Sequence, residues 1–207
     1  MQIKSIAALS AVAGLMAVAA PAQAVIVVYG GPPIAITPNI DGLYLNVVTG
    51  ASANGSVAGW DLNLYSNNSL APNLTFWAPT GGGYVGSTPN VSALPFGTSI
   101  GPGSTFLSTP NIGGGYQAPA FAGTTSYFGF TFLNEAGGTT HYGWAQLSAG
   151  TEGGFPAAIL AYAFESTPNL AIQAGVVPEP GTYALMLAGL AAVGGLAARR
   201  RKAEAAA

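Results

Sequence analysis

The chain has 207 residues, 50% of them hydrophobic and only 6% charged, with no cysteine and a formal net charge of −2. The lack of cysteine excludes disulfides, thiol nucleophiles and thiolate-held zinc. Every Lys and Arg lies near an end, so residues 25–176 hold five carboxylates (Asp41, Asp61, Glu135, Glu152, Glu165) and no cation, a local charge of −5; such a surface cannot neutralise phosphates, which excludes nucleic acid as a partner, and has no Coulomb attraction to anionic lipid.

The first element is an export signal. Lys4 supplies a positive start, and Ser5 to Ala20 is an apolar run rich in Ala, Leu and Val. Pro21 ends that run, and Ala22-Gln23-Ala24 has the small-x-small pattern that signal peptidase cleaves. Residues 1–24 are therefore expected to form a signal helix, cut after Ala24.

Residues 25–176 have the usual size of one domain. Two-residue alternation marks half-buried strands. "GLYLNVV" puts Leu43, Leu45 and Val47 on one face, and "GWDLNLY" does the same for Trp60, Leu62 and Leu64. "VIVVY" and "NLTFW" are shorter candidates. "YFGFTF" aligns Phe128, Phe130 and Phe132, and "HYGWAQL" aligns Tyr142 and Trp144. These last two predict one hairpin, Tyr127 to Leu133 with Thr140 to Ser148, closed at "NEAGG". A further strand is expected from Ala157 to Ser166. The connectors "GGPP", "SANGS", "PTGGG" and "GPGS" are turn chemistry. "TPN" recurs at Thr37, Thr88, Thr109 and Thr167, but its spacing is too uneven for a solenoid. The expected fold is all-β, an antiparallel β-sandwich of jelly-roll type, flanked by the signal helix and a single C-terminal transmembrane helix.

The last element is "VPEPGTYALMLAGLAAVGGLAARRRK". Pro178-Glu179-Pro180 forbids regular helix or sheet and leaves the backbone extended and accessible. Residues 181–198 are uncharged; at about 1.5 Å per residue, a helix of that length only just spans a ~30 Å hydrocarbon core. Arg199, Arg200, Arg201 and Lys202 follow at once, and under the positive-inside rule they stay cytoplasmic and stop transfer. The order of Pro-Glu-Pro, apolar helix and basic cluster resembles the PEP-CTERM sorting domain, also named the ice-binding protein C-terminal domain. "YFGFTF…THYGWAQL…AYAFESTPNLAIQAG" and "VVTG…GWDLNLY" are similar to the bodies of proteins that end in this signal. The resemblance implies a β-sandwich surface protein without known catalytic residues. It also implies an exosortase-type transpeptidase that cuts near Pro-Glu-Pro and releases the domain to the cell surface or matrix. The expected segments are thus 1–24 (signal), 25–176 (ectodomain) and 177–202 (sorting tail: motif 177–180, span 181–198, basic cluster 199–202).

Chemistry-bearing residues are sparse. His141 is the only histidine, so a metal site of several histidines is impossible, and a Ser-His-Asp triad has no other base and no GxSxG elbow. It is expected on a strand, half exposed. Two flanking carboxylates hydrolyse glycosides, but no two of the five form a recognisable pair, and Glu135 and Glu152 sit in or beside glycine-rich turns. "DLN" offers oxygens from Asp61 and Asn63, yet a calcium loop needs more ligands, and Leu62 and Leu64 favour a strand. No flat threonine array suited to ice is present. Trp60, Trp77 and Tyr116, near Asn and Asp, are candidate glycan contacts, whereas alternation assigns Trp60 and Trp144 to the core. The sequence therefore predicts a non-enzymatic surface or exopolysaccharide-associated matrix protein. It takes no cofactor or metal, and its partners are signal peptidase, the transpeptidase and, transiently, the cytoplasmic membrane. A secreted carbohydrate-binding module is the alternative, and a secreted hydrolase the distant one.

Overall fold

The computed structural model describes residues 25–68, 70–108 and 115–177, together with Gly189, Leu190 and Val193. The signal segment with its cut at Ala22 and Ala24 lies outside the described residues, as do Pro178, Glu179, Pro180 and the run Arg199 to Lys202. Among the described residues no helix is long and apolar enough to cross a membrane. Of the expected span, Gly189, Leu190 and Val193 are helical, and the side chains of Leu190 and Val193 are 63% and 67% exposed, so neither is packed into the domain.

The chain runs through β1 (Ile26–Tyr29), β2 (Ile34–Ile36), β3 (Leu43–Leu45), β4 (Ser52–Ala53), β5 (Leu62–Ser66) and β6 (Leu74–Trp77). It continues through β7 (Gly83–Ser87), β8 (Asn90–Val91), β9 (Ser99–Ile100), β10 (Phe106–Leu107) and β11 (Tyr116–Gln117). A 3-10 turn at Pro119–Phe121 leads into the long strands β12 (Thr125–Asn134), β13 (Thr139–Gly150) and β14 (Gly154–Glu165), and β15 (Ile172–Gln173) follows. The hairpin expected around "NEAGG" is present: Leu133 pairs with Thr140, and the ladder extends one residue further to Asn134 and Thr139.

The all-β class holds, but two separate antiparallel sheets do not. Among the described residues, a sheet of thirteen strands runs in the order β1-β14-β13-β12-β7-β8-β11-β6-β5-β3-β4, with β2 and β10 off this path, and β15 pairs with β9 apart from it. It is mixed, because β11 lies parallel to β8. The join is β7, whose Gly83 and Tyr84 pair with β12 while its Gly86 and Ser87 pair with β8. Glycine makes that double use possible: a Cβ on Gly86 would run into the Asn90 carbonyl. The sheet therefore curls without breaking, and its two halves face each other.

Alternation decides what lies between them. Phe128, Phe130 and Phe132 are fully buried, as are Leu62, Leu64 and Phe76 from the other half. Phe76 meets Phe128 edge-on, at 5.0 Å between ring centroids and 87° between planes. Burying each such ring contributes ~1.5–3 kcal/mol. A smaller core lies on the outer face of the β12–β14 half. There Tyr142, Trp144 and Ala163 pack under Leu94, Ile100, Ile172 and Ala174, which β9 and β15 help to supply.

Truncating Phe128 to Ala is expected to cost about 3–5 kcal/mol in urea unfolding. Leu70, 96% exposed, is the matched surface position, and its change to Ala is expected to stay within about 0.5 kcal/mol.

Candidate functional site

On the β3–β5–β6 half, the inward residues are leucines and Phe76, so the alternate residues face out. Register puts Tyr44 beside Asn63 and Asn63 beside Trp77, a row across three strands on the outer face. Tyr65 follows on the same face of β5. Trp60 closes the end of the row against Tyr44, at 5.0 Å and 88°. Ile40, 68% exposed, forms the rim. Ile40, Tyr44, Asn63, Tyr65 and Trp77 line a cleft of about 190 Å³.

Hydrogen bonds fix its floor and wall. Asn63 Nδ2 donates to the carbonyls of Asp41 (2.8 Å) and Leu43 (3.2 Å). Gly42 has φ +61°, and a Cβ there would collide with the Leu64 carbonyl, so only glycine admits this bend beneath Ile40 and Asp41. Asn39 Oδ1 accepts from Gly42 N (2.7 Å), and Asn54 Nδ2 donates to Gly42 O (2.6 Å). From the core side, the buried Tyr84 hydroxyl donates to Trp77 O (3.0 Å) and accepts from Asn63 N (3.2 Å). Tyr84 thus clamps the two strands at the cleft. Burial holds its phenol far above the ordinary range. The Tyr44 phenol is also raised, by burial first, then by the negative fields of Asp41 and Tyr65.

The other sequence candidates separate. Trp77 lies in the cleft, half buried. Trp60 does not join Leu62 and Leu64 in the core: β5 begins only at Leu62, and the bend at Gly59 (φ +59°) breaks the alternation before it. Tyr116 drops out of the glycan group. It is buried on the inner face opposite Phe76 and donates its hydroxyl to Ser108 O (2.6 Å). Trp144 is buried as expected, with its ring at 88° to Tyr127 and Nε1 without a hydrogen-bond partner.

His141 is on a strand but buried rather than half exposed, because it shares the inner face of β13 with Ala145 and Leu147. Its Nδ1 bonds Glu165 O (2.9 Å), its Nε2 bonds Thr139 Oγ1 (2.8 Å), and its ring stacks on Phe132 at 5.5 Å. Glu165 is buried too, and its Oε1 accepts from Thr167 N (2.8 Å).

Asp61 and Asn63 do not combine as oxygen ligands. The Asn63 amide grips carbonyls, while Asp61 Oδ2 accepts from Val47 N (2.8 Å) at the turn after β3. No group of three or more His, Cys, Asp or Glu side chains suited to a metal ion occurs among the described residues. Burial raises the Asp61 carboxyl from 3.8 to about 7, the Val47 bond opposes this, and the charge of Glu135 adds to it. Beside that turn, Tyr29 and Tyr162 stack at 4.8 Å and 6°. They help to line a second cavity of about 160 Å³ with Val27, Val47 and Thr49.

The domain ends in a tight turn after β15, where Val176 N donates to Gln173 O (3.1 Å), and Val177 points outward, 43% exposed. The family model of the PEP-CTERM protein-sorting motif matches residues 176–202, beginning at that turn. This chain carries a PEP-CTERM sorting motif. No curated protein and no solved structure matches the chain. The PEP-CTERM motif points to an exported protein sorted by an exosortase-type enzyme. Its place fits that handling, because the motif leaves the last strand directly, with no further folded element between.

Of the cleft residues, sequence reasoning passed over Tyr44, Tyr65 and Ile40. The signal for Tyr44 was present in "GLYLNVV": if Leu43 and Leu45 face in, Tyr44 faces out.

Two measurements check this site. Tyr84→Phe leaves Asn63 N and Trp77 O without their shared partner, and is expected to cost about 1–3 kcal/mol in chemical unfolding. Asp61 titrates higher folded than unfolded. Its stabilising contribution is therefore full below the ordinary value of 3.8 and is lost as pH rises through about 7. Asp61→Asn keeps an acceptor for Val47 N and removes the titration. The Tm difference between variant and wild type is expected to move in the variant's favour between about pH 4 and about pH 8.

Proposed function

We propose that the protein is an exported, non-enzymatic surface or extracellular-matrix component, associated with exopolysaccharide or biofilm. Signal peptidase removes residues 1–24. Residues 25–176 then stand outside the cytoplasmic membrane, held transiently by 181–198 and by the cations from Arg199 to Lys202. An exosortase-type transpeptidase cuts near Pro178-Glu179-Pro180 and passes the domain to the cell surface or matrix. The observation that carries this reading is the PEP-CTERM motif at 176–202, set against the final turn of the domain. The non-enzymatic part is supported by His141, the one histidine, whose two ring nitrogens are both engaged in structural hydrogen bonds.

A second reading, a carbohydrate-binding module that shares the same address, is favoured by the half-buried aromatic row Tyr44, Trp60 and Trp77 on an outer sheet face.

The sorting reading is tested by expressing a tagged chain in its host, with and without residues 177–202, and determining location and C-terminus by fractionation and mass spectrometry. The expected product of the full chain is a form ending near Pro178 in the medium or matrix. A full-length form retained in the cytoplasmic membrane reduces the tail to an anchor.

A further inference from the structure

We propose that the outer face of β3, β5 and β6 is a saccharide-binding cleft that receives an uncharged pyranose ring between Tyr44 and Trp77, with Trp60 bracing Tyr44 from outside the cleft. This rests on the carbohydrate-binding reading of the domain and is independent of how the tail is processed.

The first argument is exposure. The domain buries most of its large aromatic side chains, including all three phenylalanines of β12. Tyr44 and Trp77 are left half buried on either side of Asn63, and the half-buried Trp60 packs against Tyr44. Half-buried Tyr and Trp rings offer apolar area with a polar handle. The aliphatic C–H face of a pyranose fits such a surface, and its hydroxyls bond the polar atoms around it.

Those polar atoms are the second argument. With both hydrogens of Asn63 Nδ2 committed to backbone carbonyls, the side chain is locked and Oδ1 remains an acceptor in the cleft wall. Tyr65 accepts from Gly115 N (2.9 Å) and keeps its own O–H to donate. Asp41, exposed, stands close enough to Tyr44 to raise its phenol. Donors and acceptors thus surround an apolar floor, and rigid hydrogen bonds hold both in place before any ligand arrives.

Charge and size select the ligand. Residues 25–176 hold no Lys or Arg, and the exposed Asp41 carboxylate acts on Tyr44 in the cleft wall. Uronates and sulfated or phosphorylated sugars meet repulsion with no cation to offset it, whereas a neutral hexose meets none. A cleft of about 190 Å³ is smaller than the ~300–1,000 Å³ of sites that engulf drug-sized ligands. It suits one ring of a longer chain whose remainder lies in solvent.

The test uses the full chain purified in a detergent without a sugar headgroup. Soluble neutral oligosaccharides of glucose, mannose and galactose, and polygalacturonate as the anionic probe, are titrated by calorimetry and tryptophan emission. Saturable binding of a neutral oligosaccharide is expected, without binding of polygalacturonate. Trp77→Ala, which removes a ring lining the cleft, is expected to weaken it about tenfold or more. Ile40→Glu alters only the exposed rim, so folding is preserved, and is expected to weaken binding comparably. Phe96→Ala, an exposed aromatic outside the cleft, is expected to leave it unchanged. Failure of every neutral probe, equal binding of polygalacturonate, or unchanged affinity in Ile40→Glu and Trp77→Ala overturns the proposal. None of these outcomes alters the localisation of the chain, so the sorting reading stands or falls separately.

Discussion

The structure turns on one buried phenol. Tyr84 sits in β7, the strand through which the curled sheet passes from one half to the other. Its ring packs edge-on against Phe76, at 5.0 Å, and against Phe128, at 5.9 Å, so it touches both walls of the core. Its hydroxyl then ties Asn63 N on β5 to Trp77 O on β6. A phenylalanine would fill the same space but leave two buried backbone groups unpaired. A polar atom placed this deep is tolerable only because donor and acceptor are both satisfied. Core packing, continuity of the sheet and the spacing of the outer row thus depend on the same side chain.

A domain with no cation must fasten its loops without ion pairs, and here asparagine does that work. Asn46 Oδ1 accepts from Val48 N and Thr49 N, while Nδ2 donates to the carbonyls of Ala58 and Gly59. One amide therefore fixes two turns. Asn39, Asn54 and Asn63 bind the bend at Gly42 in the same manner. An amide offers donors and an acceptor without the desolvation cost of a charge. These links are also insensitive to salt, unlike surface ion pairs. Asp61 is the exception. It accepts from Val47 N with a carboxyl, and its burial raises the titration against that bond.

Strong period-two segments were legible in the sequence. The Phe128, Phe130, Phe132 stripe, its partner around Tyr142 and Trp144, and the closing turn at Asn134 to Gly138 all come from alternation plus turn chemistry. The curl was not legible, because it depends on strands such as Ser52–Ala53, Asn90–Val91 and Tyr116–Gln117. Two residues carry no periodic signal, and their pairing is decided by tertiary contacts. Trp60 misled because alternation was extended past the true start of β5. His141, expected half exposed, is buried: with Tyr142 and Trp144 on the outward face, it falls inward beside Phe132, its register partner, a consequence of its stripe that was not drawn. The cleft was partly visible, since Trp77 was singled out while Tyr44, facing out between Leu43 and Leu45, was not. The tail needed no fold at all, because a linear motif is read by residue order.

The two halves of the sheet also separate the cleft from the exit of the chain. The main core lies between the halves, so their outer faces point in opposite directions. The second core, with Ile172 and Ala174 packed near Trp144, covers the outer face of the β12–β14 half, and the chain leaves from there at Val177. The aromatic row covers the outer face of the other half. The sequence order that places the sorting motif directly after β15 and the aromatic residues on β3, β5 and β6 thus puts the chain's exit and the aromatic row on different surfaces.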